Sequence, residues 1–148
     1  MSKATCKIVI QRPIDEVFDY VSHMENDPLW CPEVKSVEQE SEGEPGVGTT
    51  YKIVVAFSKD ELKGGYEITA YQRPTLLEWK LWQGGIRANN SYHLEAIEND
   101  TRLSYTIRGS LPPKQKFFDP IVGLLNRFYY GPRALKRLKR TLESDSVA

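Results

Sequence analysis

Five carboxylates crowd the stretch QRPIDEVFDYVSHMENDPLW, residues 11–30: Asp15, Glu16, Asp19, Glu25 and Asp27. Clustered acids can perform general acid–base work, one donating a proton while another accepts it. The spacing offers a plainer account. Pro13 suits a first helical turn, and Ile14, Val17, Phe18 and Val21 recur at helical intervals. Asp15 and Glu16 then fall in the first turn, where the positive end of the helix dipole favours acids. Asn26-Asp27-Pro28 closes the helical region, and Trp30 follows it.

The other reactive side chains are sparse. No nucleophile triad is readable, and the catalytic residues stay unknown at this level. His23 and His93 are the candidate general bases. His93 alternates with Tyr92 and Leu94, so it points away from the face those two share. His23 falls at a helix end, where the dipole alone favours a protonated ring. No Cys-x-x-Cys or His-Glu-x-x-His spacing exists, so no metal and no cofactor are expected. Gly64-Gly65 and Gly84-Gly85 are isolated pairs at apparent strand boundaries. They read as turns or bulges, since a phosphate cradle needs glycines leading into a helix.

These residues must be carried by ordinary globular elements. The chain has 148 residues, enough for one domain over 1–148 with a sizeable core. Its formal net charge is zero, which argues against a nucleic-acid partner. No apolar run approaches the roughly 18 residues of a membrane span, and the N-terminus MSKATCK is not a signal peptide. Two unpatterned cysteines, Cys6 and Cys31, suit a reducing compartment. A cytoplasmic protein without integral membrane association, monomeric or homodimeric, is expected.

Residues 4–11 alternate as a strand, with Cys6, Ile8 and Ile10 on one face. After the helical stretch come about six more strands joined by short turns. Their shared faces are Tyr51, Ile53, Val55 and Phe57; then Tyr66, Ile68 and Ala70; then Leu77, Trp79 and Leu81. Ala88, Asn90, Tyr92, Leu94 and Ala96 follow, and finally Leu103, Tyr105 and Ile107. Such spacing predicts an antiparallel sheet of sequential hairpins. From Lys116 to Glu143 the period becomes helical, with Phe118, Ile121, Leu125, Phe128, Leu135, Leu138 and Leu142 as the stripe. Gly131-Pro132 interrupts it, and a bend or break is expected there.

This order resembles the helix-grip fold of the START-related (SRPBCC) superfamily, most closely the small bacterial polyketide cyclase/dehydrase and lipid-transport group. The stretches that carry it are IVIQRPIDEVFDYVSHMENDPLW, Gly48 opening a long strand, YQRPTLLEW, NDTRLSY and LKRLKRTLE. The resemblance implies an α+β fold: a curved antiparallel sheet wrapped around a long C-terminal helix, with two short helices after the first strand. It also implies a cavity between sheet and helix. The opening stretch then becomes architecture, its acids solvated and Phe18, Val21 and Trp30 packing it down.

In that frame Tyr51, Tyr66, Trp79, Tyr92 and Tyr105 share the concave face with Ile53, Val55, Ile68 and Asn90. Phe118, Ile121, Leu125 and Phe128 oppose them on the helix. Rings with polar tips fit a sealed core poorly, because a buried hydroxyl or indole N–H needs a partner. These thirteen residues are the candidate ligand-binding set, with Asn90 orienting a small, largely apolar molecule such as a polyketide, lipid or isoprenoid. The alternative is a polyketide cyclase or dehydratase in the same cavity, for which no inward-facing base is readable. A protein-interaction module is a third reading, without a marked apolar patch to support it. A bend at Gly131-Pro132 would either gate the cavity or fit the helix to the sheet.

Overall fold

Alternation of apolar and polar residues builds one seven-stranded antiparallel sheet in the order β1-β7-β6-β5-β4-β3-β2. In this computed structural model residues 2–31, 34–57, 60–83, 86–110 and 131–144 are described. The strands are β1 (Ser2–Ile10), β2 (Val34–Gln39), β3 (Thr50–Phe57), β4 (Asp60–Gln72), β5 (Leu76–Gln83), β6 (Ile86–Ile97) and β7 (Asp100–Ser110). Three described α-helices accompany them: α1 (Ile14–Ser22), α2 (Asp27–Trp30) and α3 (Gly131–Glu143). A 3-10 turn over Met24–Asn26 joins α1 to α2. The α+β helix-grip architecture read from the sequence is the architecture found.

Strands β2 to β7 form a meander of hairpins, and β1 adds to β7 at the far edge. The short helices therefore carry the chain from one edge strand to the other. Their inner faces are closed by Val17, Phe18, Val21, Met24 and Trp30, all buried. Asp15 and Glu16 are exposed in the first turn of α1, as the helical spacing requires. Arg73, in the β4–β5 turn, clamps the helix from outside. It donates to both Asp19 carboxylate oxygens at 2.8 and 3.0 Å and lies 3.3 Å from Asp15.

Helix α3 buries Leu135, Leu138 and Leu142 and packs along β1. Its last turn is fastened to the corner after β1. Gln11 N–H donates to Glu143 Oε2 at 2.7 Å, Arg12 donates to the Glu143 carbonyl at 3.2 Å, and Lys139 donates to the Val9 carbonyl at 2.8 Å. Residues just before Gly131 lie outside the described set, and with them the bend expected at Gly131-Pro132.

Two local expectations are corrected. Ala70 does not share a face with Tyr66 and Ile68. The β4–β5 register slips between Ile68 and Ala70, so Ala70 lies opposite Glu78 and Tyr71 opposite Leu77. One extra residue reverses the alternation, and the Tyr71 ring meets Phe18 edge-on at 5.2 Å. Gly64 and Gly65 mark no turn or strand boundary either. They sit inside β4, paired with β3 on one side and β5 on the other. A Cβ on Gly64 would meet the Trp82 carbonyl oxygen at 2.0 Å, and one on Gly65 would meet the Trp82 ring at 2.5 Å. Close approach of the neighbouring strand is what requires glycine here.

Candidate functional site

Sheet register brings the predicted rings into one row. Tyr51 pairs with Tyr66 across β3–β4, Trp79 with Asn90 across β5–β6, and Tyr92 with Tyr105 across β6–β7. The rings touch in sequence. Tyr51–Tyr66 and Tyr66–Trp79 are edge contacts at 6.4 and 6.3 Å, and Trp79 lies 4.7 Å from Tyr92. Tyr105 stacks on Trp79 at 6.1 Å and meets Tyr92 at 5.1 Å. Such offset and edge-on arrangements are the favourable ones for aromatic quadrupoles.

Tyr51, Ile53, Tyr66, Ile68, Trp79, Asn90 and Tyr92 are buried, while Val55 and Tyr105 are partly buried. Phe118, Ile121, Leu125 and Phe128, the predicted opposing wall, lie outside the described residues. The polar tips are poorly served. Trp79 Nε1 and Asn90 Oδ1 are buried without a hydrogen-bond partner among the described residues. The Tyr51 hydroxyl leans towards the Met24 backbone but reaches no hydrogen bond of good geometry. An unpaired buried polar atom is costly, typically about 1–3 kcal/mol.

Asp27 is the residue the sequence reading misplaces. Its place among the acids of residues 11–30 suggests a solvated side chain, but it is 6% exposed. Its short helix lies across the sheet's end and turns the carboxyl towards Tyr66, with which it hydrogen-bonds. Burial pushes Asp27 up to about 8, and the Tyr66 hydrogen bond pulls the other way. Burial also pushes Tyr51 up to about 12 and holds Tyr66, Tyr92 and Tyr105 above the ordinary phenol range, with the Asp27 charge adding to each. A buried carboxyl on the inner side of the short helices is therefore present. Helical period could not have revealed it, because the direction of a one-turn helix is set by its docking.

The histidines stay outside. His93 is exposed on the outer face, and His23 caps the end of α1, its Nδ1 2.7 Å from the Asp19 carbonyl. The Arg73 hydrogen bonds hold the exposed Asp19 carboxyl below its ordinary value. Among the described residues no group of three His, Cys, Asp or Glu could hold a metal, and no helix is long and apolar enough to cross a membrane. A groove of about 580 Å³ opens between α1 and the end of α3, bordered by Glu16, Asp19, Tyr20 and Asn26. Tyr20 forms its inner wall. Its buried hydroxyl has no partner among the described residues, and burial together with the Asp27 charge pushes it up.

Residues 1–143 match the family described as polyketide cyclase / dehydrase and lipid transport. No curated protein matches the sequence. Several solved structures share the fold. TTHA0849 from Thermus thermophilus superposes with a TM-score of 0.77 at 17% identity, over 95% of this chain and 96% of that one. The Zhui aromatase/cyclase from a Streptomyces species gives 0.76 at 11% identity, over 95% and 93%. A START superfamily protein from Mycobacterium smegmatis gives 0.74 at 14% identity, over 97% and 98%.

Proposed function

We propose, since the chain belongs to the polyketide cyclase/dehydrase and lipid transport family, that it binds a small, largely apolar molecule between the concave face and the C-terminal helix. The molecule is polyketide-, lipid- or isoprenoid-like. The observation that carries this reading is the aromatic row from Tyr51 to Tyr105 with polar tips left unpartnered among the described residues. Apolar surface for the ligand's body beside a few convergent polar groups is the usual make-up of a small-molecule site. Native mass spectrometry of freshly purified protein tests it. A retained small molecule, lost on Trp79→Ala and Tyr92→Ala substitution, is the expected result. Protein that carries nothing, and gives no saturable binding to apolar probes, overturns it.

A second reading, cyclase or dehydratase activity at the same place, is favoured by one observation. Asp27 supplies a buried carboxyl with a phenol partner, and in its ionised form it could accept the proton that enolisation of a ketone releases. Conversion of a poly-β-ketone by the wild type but not by Asp27→Asn, with binding retained in both, would select the enzyme over the carrier.

A further inference from the structure

We infer that the outer side of α3, together with Leu29 of α2, docks on a bilayer surface that bears anionic lipids. This goes beyond the ligand-binding reading and does not depend on it, since it concerns the outside of the molecule. Helix α3 sorts its cations by position. It carries five, Arg133, Lys136, Arg137, Lys139 and Arg140, against one acid, Glu143. Lys139 belongs to the fastening with β1, donating to the Val9 carbonyl at 2.8 Å and to Glu143 at 2.6 Å. The other four are exposed. They stand at i, i+3, i+4 and i+7, opposite the buried Leu135, Leu138 and Leu142. A stripe of positive charge therefore runs about 10 Å along the helix axis. The chain as a whole has a formal net charge of zero, so the rest of it balances α3 with acid. A molecule polarised in this way is oriented by the field of a negative surface.

Charge alone would describe the ordinary solvated side of a packed helix, which is the competing account. The second observation is apolar. Helix α2 packs against α3, and between them opens a cleft of about 290 Å³ bordered by Pro28, Leu29, Trp30, Arg137, Arg140 and Thr141. Trp30 is buried, so the core backs the cleft, while Leu29 beside it is 69% exposed. The most exposed large apolar side chain among the described residues thus shares a cleft with two guanidinium groups. That pairing suits the boundary of a bilayer. An aliphatic side chain enters the acyl margin there, and basic side chains meet the headgroups. Arginine is the cation best shaped for a phosphate, which it can hold by two parallel hydrogen bonds. The cleft is at the small end of ligand sites, which begin at roughly 300 Å³. It has room for a phosphodiester headgroup and not for a lipid's chains. A nucleic acid would satisfy the arginines but leave Leu29 in water, whereas an anionic bilayer takes both.

Vesicle flotation of the full chain tests the assignment, with phosphatidylcholine alone and phosphatidylcholine mixed equally with phosphatidylglycerol. The wild type should float with the mixed vesicles and not with the neutral ones, and raised salt should release it. Arg137→Gln combined with Arg140→Gln should weaken binding by about tenfold or more, the scale of two basic residues at an anionic surface. Leu29→Ser should weaken it by about threefold or more and leave its salt dependence unchanged, because insertion is lost and charge is not. Lys63→Gln combined with Lys80→Gln removes the same charge from exposed positions of β4 and β5. That pair should stay within about twofold of wild type, since charges held away from the surface are screened. Should the arginine variant fail to fold, Leu29→Ser and the salt release of the wild type decide. Equal weakening by the lysine pair would reduce the effect to net charge and overturn the docking face. A wild type that ignores anionic vesicles overturns it too, as does one that binds poly-glutamate in their place, which would give the face to an acidic protein. Neither arginine belongs to the concave face. A small molecule retained by the wild type in native mass spectra should therefore also be retained by the arginine variant, which keeps failure here distinct from failure of the binding reading.

Discussion

Asp27 ties the stability of the molecule to pH in the direction opposite to a surface acid. In the folded chain it ionises at about 8, and in the unfolded chain near the ordinary Asp value of about 3.9. Between those values the folded state holds the extra proton, so unfolding free energy falls as pH rises from about 4 to about 8. Each displaced unit is worth about 1.4 kcal/mol, and the loss amounts to a few kcal/mol. Urea unfolding at pH 5 and pH 8 should show the wild type weakening, while Asp27→Asn loses that slope and becomes the more stable form at pH 8. Equal pH dependence in the two proteins would mean that Asp27 is not buried. The first-turn acids behave otherwise. Asp15→Ala should cost only about 0.3–1 kcal/mol, as for an exposed dipole or ion-pair contact. Trp30→Ala, removing a buried indole, should cost about 3–5 kcal/mol in the same assay. The contrast between Asp15 and Asp27 shows what sequence can carry. Asp15 belongs to a nine-residue helix whose period fixes its face, whereas Asp27 belongs to a four-residue helix with no period to read.

At the scale of elements, alternation locates the rings because each strand has one buried side. Tyr51, Tyr66, Trp79, Tyr92 and Tyr105 fall on that side by parity alone. Parity fails where the backbone departs from it. The irregularity after Ile68 moves Tyr71 inward and leaves Ala70 opposite Glu78, and nothing in YEITAYQ announces an unpaired residue. The glycines mislead for a related reason. Gly-Gly looks like punctuation, yet Gly64 and Gly65 lie mid-strand because β5 passes too close for a side chain. Gly64→Ala should therefore destabilise by about 3 kcal/mol or more, the scale of an overpacked site without room to relax. The obstruction is the Trp82 backbone oxygen rather than a mobile side-chain end. Thermal denaturation measures this directly, and a shift of less than about one degree, far below the several degrees such a loss implies, would show that β4 and β5 can part freely.

At the scale of the molecule, the C-terminal helix, the edge strand β1 and the corner at Gln11-Arg12 form one fastening. Glu143 is its centre: although burial alone would push its carboxyl up, Lys139 and the Gln11 N–H hold it below the ordinary value. Glu143→Gln keeps the shape but weakens both contacts. It should loosen amide protection in β1 and α3 together, by about 1–2 kcal/mol, as expected for a charge-assisted hydrogen bond. Loosening confined to α3 would show that the helix end is not what holds the strand.

Strand β1 has β7 as its single described sheet neighbour, and Cys6 sits opposite Tyr105. On the ribosome this means that β1 must wait for a strand made about a hundred residues later, since non-local pairing cannot begin before both partners exist. The β2–β7 meander can form hairpin by hairpin as it appears, but β1 stays an open edge until translation has passed Ser110 and cleared the exit tunnel. Nascent chains stalled before β7 should be cut by protease within residues 2–10, and chains released with α3 in place should resist.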